Sequence, residues 1–124
     1  MILVDTSIWV DHLHADNPVL GALLDADEIL AHPSVIGELL LGSAGRHAAI
    51  FLSFRLLPQA EVARDDEVQS FIIDNRLSGS GIGYVDAHLL VAARLTPETK
   101  LWTRDQRLLR VAERLHLAFR PDDA

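Results

Sequence analysis

The chain reads as an α/β protein, a single domain with a central, mainly parallel sheet flanked by helices. Three observations predict it. The apolar runs at residues 1–4 (MILV), 29–31 (ILA) and 100–103 (KLWT) are short and almost continuous, as strands buried on both faces are. Stretches of helical period separate them, which is the pattern of strands joined by crossover helices. The length of 124 residues, 49% of them hydrophobic, suits one core and leaves little room for a second domain.

Each element has a local reason. Residues 1–4 form a buried strand that turns at Asp5-Thr6-Ser7 into a short helix over 7–14. Asn17-Pro18 is a cap followed by proline at the first helical position, opening a helix to about Leu24. Residues 29–31 make the second strand. Pro33 starts a helix with Val35, Ile36, Leu39 and Leu40 on one side and Gly42 as its stop. Residues 44–57 continue helically to Pro58, and 59–63 make a weak third strand. Asp65, Asp66 and Glu67 place acids in the first turn of a helix to about Leu77, where they complement its dipole. After a glycine loop at 78–83 comes a helix over 85–95, ended by Pro97. Then follow a strand at 100–103, an amphipathic helix at 105–115, a last short strand at 117–119 and a flexible tail at 121–124.

Composition narrows the class. No apolar stretch approaches the roughly 18 residues of a membrane span. The opening ILV meets Asp5 at once, which predicts no secretory segment. There is no cysteine, hence neither disulfide framework nor thiolate metal site, and a cytoplasmic protein is expected. A net charge of −7 argues against a nucleic-acid partner at first sight. Its distribution softens that objection. Residues 94–120 carry Arg94, Lys100, Arg104, Arg107, Arg110, Arg114 and Arg120 against only Glu98, Asp105 and Glu113.

Four acids stand out because they border or interrupt apolar runs: Asp5 in MILVDTSIW, Glu38 in PSVIGELLLG, Asp86 in GIGYVDAHLLVAA and Asp105 in LWTRDQRLL. Singly, Asp86 and Asp105 read equally as helix N-caps and Glu38 as the solvated edge of a helix. Asp5, at the mouth of a buried strand, has no such ordinary role. In open α/β sheets ligands bind beyond the carboxyl ends of the strands, and Asp5, Asp86 and Asp105 fall there. Carboxylates within about 4 Å repel by on the order of 4 kcal/mol per pair at an effective dielectric of about 20, so such a cluster implies cations. All-oxygen ligation suits Mg²⁺ or Mn²⁺ rather than zinc, and points to metal-assisted phosphodiester hydrolysis.

The strings ILVDTSIWVDHL, PSVIGELLLG, GIGYVDAHLLVAARL and LWTRDQRLLRVAERL resemble, in order and over nearly the whole chain, the successive motifs of PIN-domain ribonucleases. More narrowly they resemble the VapC toxins of toxin–antitoxin pairs. The resemblance implies a parallel sheet flanked by helices and a metal-dependent endoribonuclease with Asp5, Glu38, Asp86 and Asp105 as its acidic quartet. Asp5 and Asp86 would bind metal directly. Asp105 would complete the site directly or through water, and Glu38 would hold a second metal or orient the attacking water. It also implies an RNA substrate, a VapB-type antitoxin whose segment occupies the active-site groove, and a homodimer. Thr6, Ser7 and Thr103 border the acids, with three roles open: bonding them, bonding a scissile phosphate, or ordinary turn and cap chemistry.

Other signals are weaker. Arg107, Arg110 and Arg114 share one helix face at spacings of three and four, with Arg104 just before it; the face reads either as an RNA grip or as solvated surface. Gly79, Gly81 and Gly83 make no dinucleotide or P-loop fingerprint and give slack beside Asp86. The six histidines read as structural, Trp102 as core, and Trp9 as core or as a cover over the site or a dimer seam. Haloacid-dehalogenase chemistry needs a second Asp two residues after Asp5, where Ser7 stands. The remaining alternatives are a PIN nuclease of RNA processing and an inactive PIN-like scaffold.

Overall fold

The computed structural model describes residues 1–42 and 48–121. Its elements run β1 (Ile2–Val4), α1 (Thr6–His14), α2 (Pro18–Asp25), β2 (Ile29–Leu30), α3 (Pro33–Leu41), α4 (Ala48–Leu56), α5 (Asp65–Asp74), α6 (Tyr84–Leu95), β3 (Lys100–Trp102) and α7 (Gln106–Arg114). The three strands form one sheet in the order β2-β1-β3, parallel throughout. Leu3 pairs with Leu30 on one side and Leu101 on the other, so the first strand of the chain is the middle of the sheet. All of β1 is buried, as expected of an apolar run covered on both faces.

The two weaker strands are single bridges. Ala31 pairs with Gln59 and Leu101 with Ala118, both parallel, extending the sheet by one residue pair at each edge. The 59–63 and 117–119 segments therefore shrink to edge contacts. Pro58 supplies its carbonyl to Ala31 but has no N–H to give back, and beyond residue 60 no ladder bond continues. The helix expected over 44–57 is described from Ala48 to Leu56. Its first residues, and the tail from 122 onward, lie outside the described residues. The helix starting at Asp65 ends at Asp74, three residues early, where Asn75 and then Arg76, at positive φ, close it.

Caps set several starts. Asn17 Oδ1 accepts from the Leu20 amide with Pro18 in the first turn. His32 Nδ1 accepts from the Ser34 amide ahead of Pro33, a cap that no Ser, Thr, Asp or Asn announces. Helix α6 carries the broadest apolar face, with Ala87, Leu89, Leu90, Val91, Ala92 and Ala93 all buried, and it packs on β3. Helix α3 packs on α1 and α4, and α5 on α6. Trp9 is core: it is buried and meets Phe54 of α4 edge-to-face at 4.8 Å. Trp102 is also core, against Phe119 at 5.1 Å. Among the described residues no helix is long and apolar enough to cross a membrane.

Candidate active site

The end of β1 delivers Asp5 to the edge of the sheet, and its amide continues the ladder by donating to the Trp102 carbonyl at 2.9 Å. Asp5 stands at the N-cap position of α1, yet its carboxylate makes no cap bond. Instead Oδ2 accepts from two hydroxyls, Ser7 Oγ at 2.9 Å and Thr103 Oγ1 at 2.7 Å. Both hydroxyls also accept. Thr103 Oγ1 takes the Asp105 amide at 3.1 Å, and Ser7 Oγ takes the Arg104 amide at 3.1 Å. The turn after β3 is thereby stapled to the carboxylate after β1. Asp5 and Thr103 are buried despite their polarity, with 6% and 5% of their surface exposed, and this network is what satisfies them.

The other acids arrive from three helices. Asp105 is the N-cap of α7, its Oδ1 accepting from the Arg107 and Leu108 amides at 2.9 and 3.1 Å. Asp86 is one step different from expectation. Gly83 holds the N-cap position of α6, and Asp86, three residues on, reaches back with Oδ2 to the Gly83 amide at 2.9 Å. Glu38, exposed on α3, accepts from Thr6 Oγ1 with Oε1 at 2.7 Å. Thr6, Ser7 and Thr103 thus all orient carboxylates, the first of the roles open to them.

A pattern runs through the four acids. Each commits one oxygen to the fold: Asp5 Oδ2, Glu38 Oε1, Asp86 Oδ2 and Asp105 Oδ1. Among the described residues, no donor reaches the other oxygen of any of them. The four also sense one another. Half-burial pushes the Asp86 carboxyl above the usual range, the Gly83 amide partly offsets this, and the charges of Asp5, Asp105 and Glu38 push it further. The acids nevertheless stop short of a shared coordination sphere. Among the described residues no three His, Asp or Glu side chains already converge on one ion-sized point. Asp86 and Asp105 are tied to the starts of their own helices, while Asp5 and Glu38 are tied to hydroxyls of neighbouring elements. A cavity of about 530 Å³ shares Thr103 and Arg104 with this region but is lined by none of the four acids.

The arginines divide. Arg104 Nε pairs with Asp11 Oδ2 of α1 at 2.8 Å, apart from the α7 face it was grouped with. Arg107, Arg110 and Arg114 stay together, exposed, and line one pocket with Arg76. One cluster escaped the sequence reading. Asp65 Oδ1 accepts from Tyr84 Oη at 2.7 Å and contacts His88 Nε2 at 3.0 Å, tying the start of α5 to α6. Those bonds, the tyrosine's first, hold the Asp65 carboxyl below its usual range. The one signal was the i, i+4 spacing of Tyr84 and His88, which names no partner until α5 and α6 are packed.

Comparison with known proteins agrees with this arrangement. The family model described as PIN domain matches residues 2–114. The chain is 45% identical over 108 residues to Ribonuclease VapC32 of Mycobacterium tuberculosis, in strains CDC 1551 / Oshkosh and ATCC 25618 / H37Rv, a match covering 87% of this chain and 87% of each relative. A family match over most of the length, on a parallel sheet flanked by helices, means that the chain belongs to the PIN domain family.

Proposed function

We propose that the chain is a divalent-metal-dependent endoribonuclease and the toxin half of a toxin–antitoxin pair. The supporting relative is named a ribonuclease and a VapC protein. The observation that carries the metal-dependent part is the division of each carboxylate into one oxygen bonded to the fold and one without a donor. Such an all-oxygen set suits a hard cation like Mg²⁺ or Mn²⁺.

Asp5 and Asp86 are the direct ligands, Asp105 completes the site directly or through water, and Glu38 holds a second ion or orients the attacking water. A bound ion supplies charge neutralisation at the phosphodiester and a water of lowered pKa. The protein supplies orientation. Thr103 and Ser7 fix the Asp5 carboxylate from two sides, and Thr6 fixes Glu38. Preset hydroxyl contacts spare the site reorganisation when substrate arrives. Burial first, and then the charges of Asp5, Asp105 and Glu38, raise the Asp86 carboxyl, and a bound ion would offset that second part. The partners under this reading are an RNA substrate, a VapB-type antitoxin whose segment covers the acids, and a second copy of the chain, in the cytoplasm.

Sequencing RNA ends after induction of the wild type and of Asp5→Asn tests the activity and names the target. New ends at a discrete site only with the wild type are expected. Identical ends in both strains would remove the acidic site from the reaction.

A further inference from the structure

We propose that Arg76, Arg107, Arg110 and Arg114 form a seat for a backbone phosphate of single-stranded RNA beside the acidic site. The inference rests on the ribonuclease reading and deepens it. The four guanidiniums line a cavity of about 320 Å³ together with Ser78 and Ser80. Three come from the outer face of α7, while Arg76 and the serines come from the turn and glycine loop after α5.

Charge is the first argument. Of the 11 basic residues in a chain of net charge −7, four meet here, and among the described residues none of the four is in an ion pair. Arg64, Arg104 and Arg120, by contrast, each have a carboxylate partner. Arg114 donates only to the neutral carbonyl of Asn75, at 2.8 Å. Four unpaired like charges in one cavity repel, and an anion is the natural complement. The planar fork of arginine matches phosphate geometry in two-point contacts.

Place is the second argument. The Arg107 amide is held by Asp105, while its side chain lies against Gly81. Gly81 has φ +86°, and a Cβ there would fall 2.8 Å from Arg107 Cδ, so the absence of a side chain is what lets loop and arginine approach this closely. Two residues further on, the Gly83 amide holds Asp86. The pocket wall is therefore continuous with the segments that position two of the four acids. A strand with one phosphate over the acids extends its neighbours along this surface. An acidic enzyme needs such a local cationic hold, because its overall field repels the polyanion it must cut.

The test uses the full chain carrying Asp5→Asn, so that labelled single-stranded RNA is bound without being cut, and follows affinity against salt. Adding Arg76→Ala with Arg110→Ala, both exposed, should flatten the log–log salt slope by about 0.7, the value of the one phosphate contact this seat makes on a single strand. Arg110→Lys, which keeps the charge, should retain most of the slope. An unchanged slope in the double variant overturns the pocket, and if the wild-type chain still cuts RNA the ribonuclease reading survives. A wild type that neither binds nor cuts RNA removes both. Loss of binding to poly-glutamate with an unaltered RNA slope overturns the proposal in favour of an acidic polypeptide partner.

Discussion

Thr103 Oγ1 donates to Asp5 and accepts from the Asp105 amide, so one buried hydroxyl fixes an acid from β1 and the turn that carries an acid of α7. Thr103→Val keeps the shape and removes both bonds. Its expected cost is about 1–3 kcal/mol, the usual penalty for leaving buried polar groups unpaired, read by urea unfolding. Cleavage should fall as well, with Thr103→Ser restoring both; a stable, fully active valine variant would deny the hydroxyl any orienting role. Asp86 works in the other direction. Its folded carboxyl titrates above the unfolded value, so ionisation costs the native state stability that is lost as pH rises through that interval and stays lost at neutral pH. In chelator, Asp86→Asn should therefore melt higher than the wild type while losing activity, since the amide oxygen can still accept from Gly83. A lower melting temperature would show that burial and the neighbouring acids together do not make the ionised Asp86 costly to the fold. The acids themselves were legible in the sequence because carboxylates inside apolar runs are conspicuous. Which oxygen each one leaves free was not, because Thr6, Ser7 and Thr103 find their partners only when residues up to 98 positions apart meet.

Helix α3 shows what a cap chosen from outside the usual set does. His32 is 1% exposed, and burial first, then the neighbouring His88, lowers its pKa from 6.5 to about 4. Because Nδ1 accepts from Ser34, the proton of the neutral ring sits on Nε2, which has no partner among the described residues. His88 turns Nε2 to Asp65 and leaves Nδ1 equally unpartnered, with the two rings 6.4 Å apart. A depressed folded pKa contributes stability that is fully present above the unfolded value of about 6.5 and is lost as pH falls toward 4. Two and a half units correspond to about 3 kcal/mol. Unfolding free energy measured between pH 7 and 4 should show this slope, and His32→Asn, which keeps a cap acceptor but does not titrate, should flatten it. Equal slopes in the two proteins would place the acid lability elsewhere. At this scale the sequence was a good guide where caps and prolines are local, as at Asn17-Pro18 and Pro33. It was a poor one at the sheet edges, where the pairing of 59–63 and 117–119 depends on how many neighbours the tertiary fold aligns. The cap reading open for Asp86 is met in a different form, since Gly83 takes the N-cap position and Asp86 accepts from its amide from the third helical residue.

Across the whole molecule charge is sorted: acids at the strand ends, unpaired arginines on α7 and the loop beside it, and a net −7 around both. The basic third of the chain was visible in the sequence, but Arg104 was counted with it until its pairing with Asp11 took it away, and Arg76 was missed because it lies outside that third. Under the proposed metal-dependent reading, a cation among these acids should offset the charges of Asp5, Asp105 and Glu38 that bear on Asp86. A ligand bound only by the folded state stabilises it by about 2.7 kcal/mol at 100 times its dissociation constant. For a domain of this size that is a rise in melting temperature of roughly 10 °C. Mn²⁺ should produce such a rise in the wild type, none in Asp5→Asn, and a smaller one in Thr103→Val, where the ligand is present but no longer held. The same ion should cancel the advantage predicted for Asp86→Asn in chelator, so that the order of the two melting temperatures inverts on adding Mn²⁺. That inversion is the demanding outcome, because nonspecific screening would raise or leave both proteins together. If the order is the same with and without Mn²⁺, the four carboxylates do not act as one cation site.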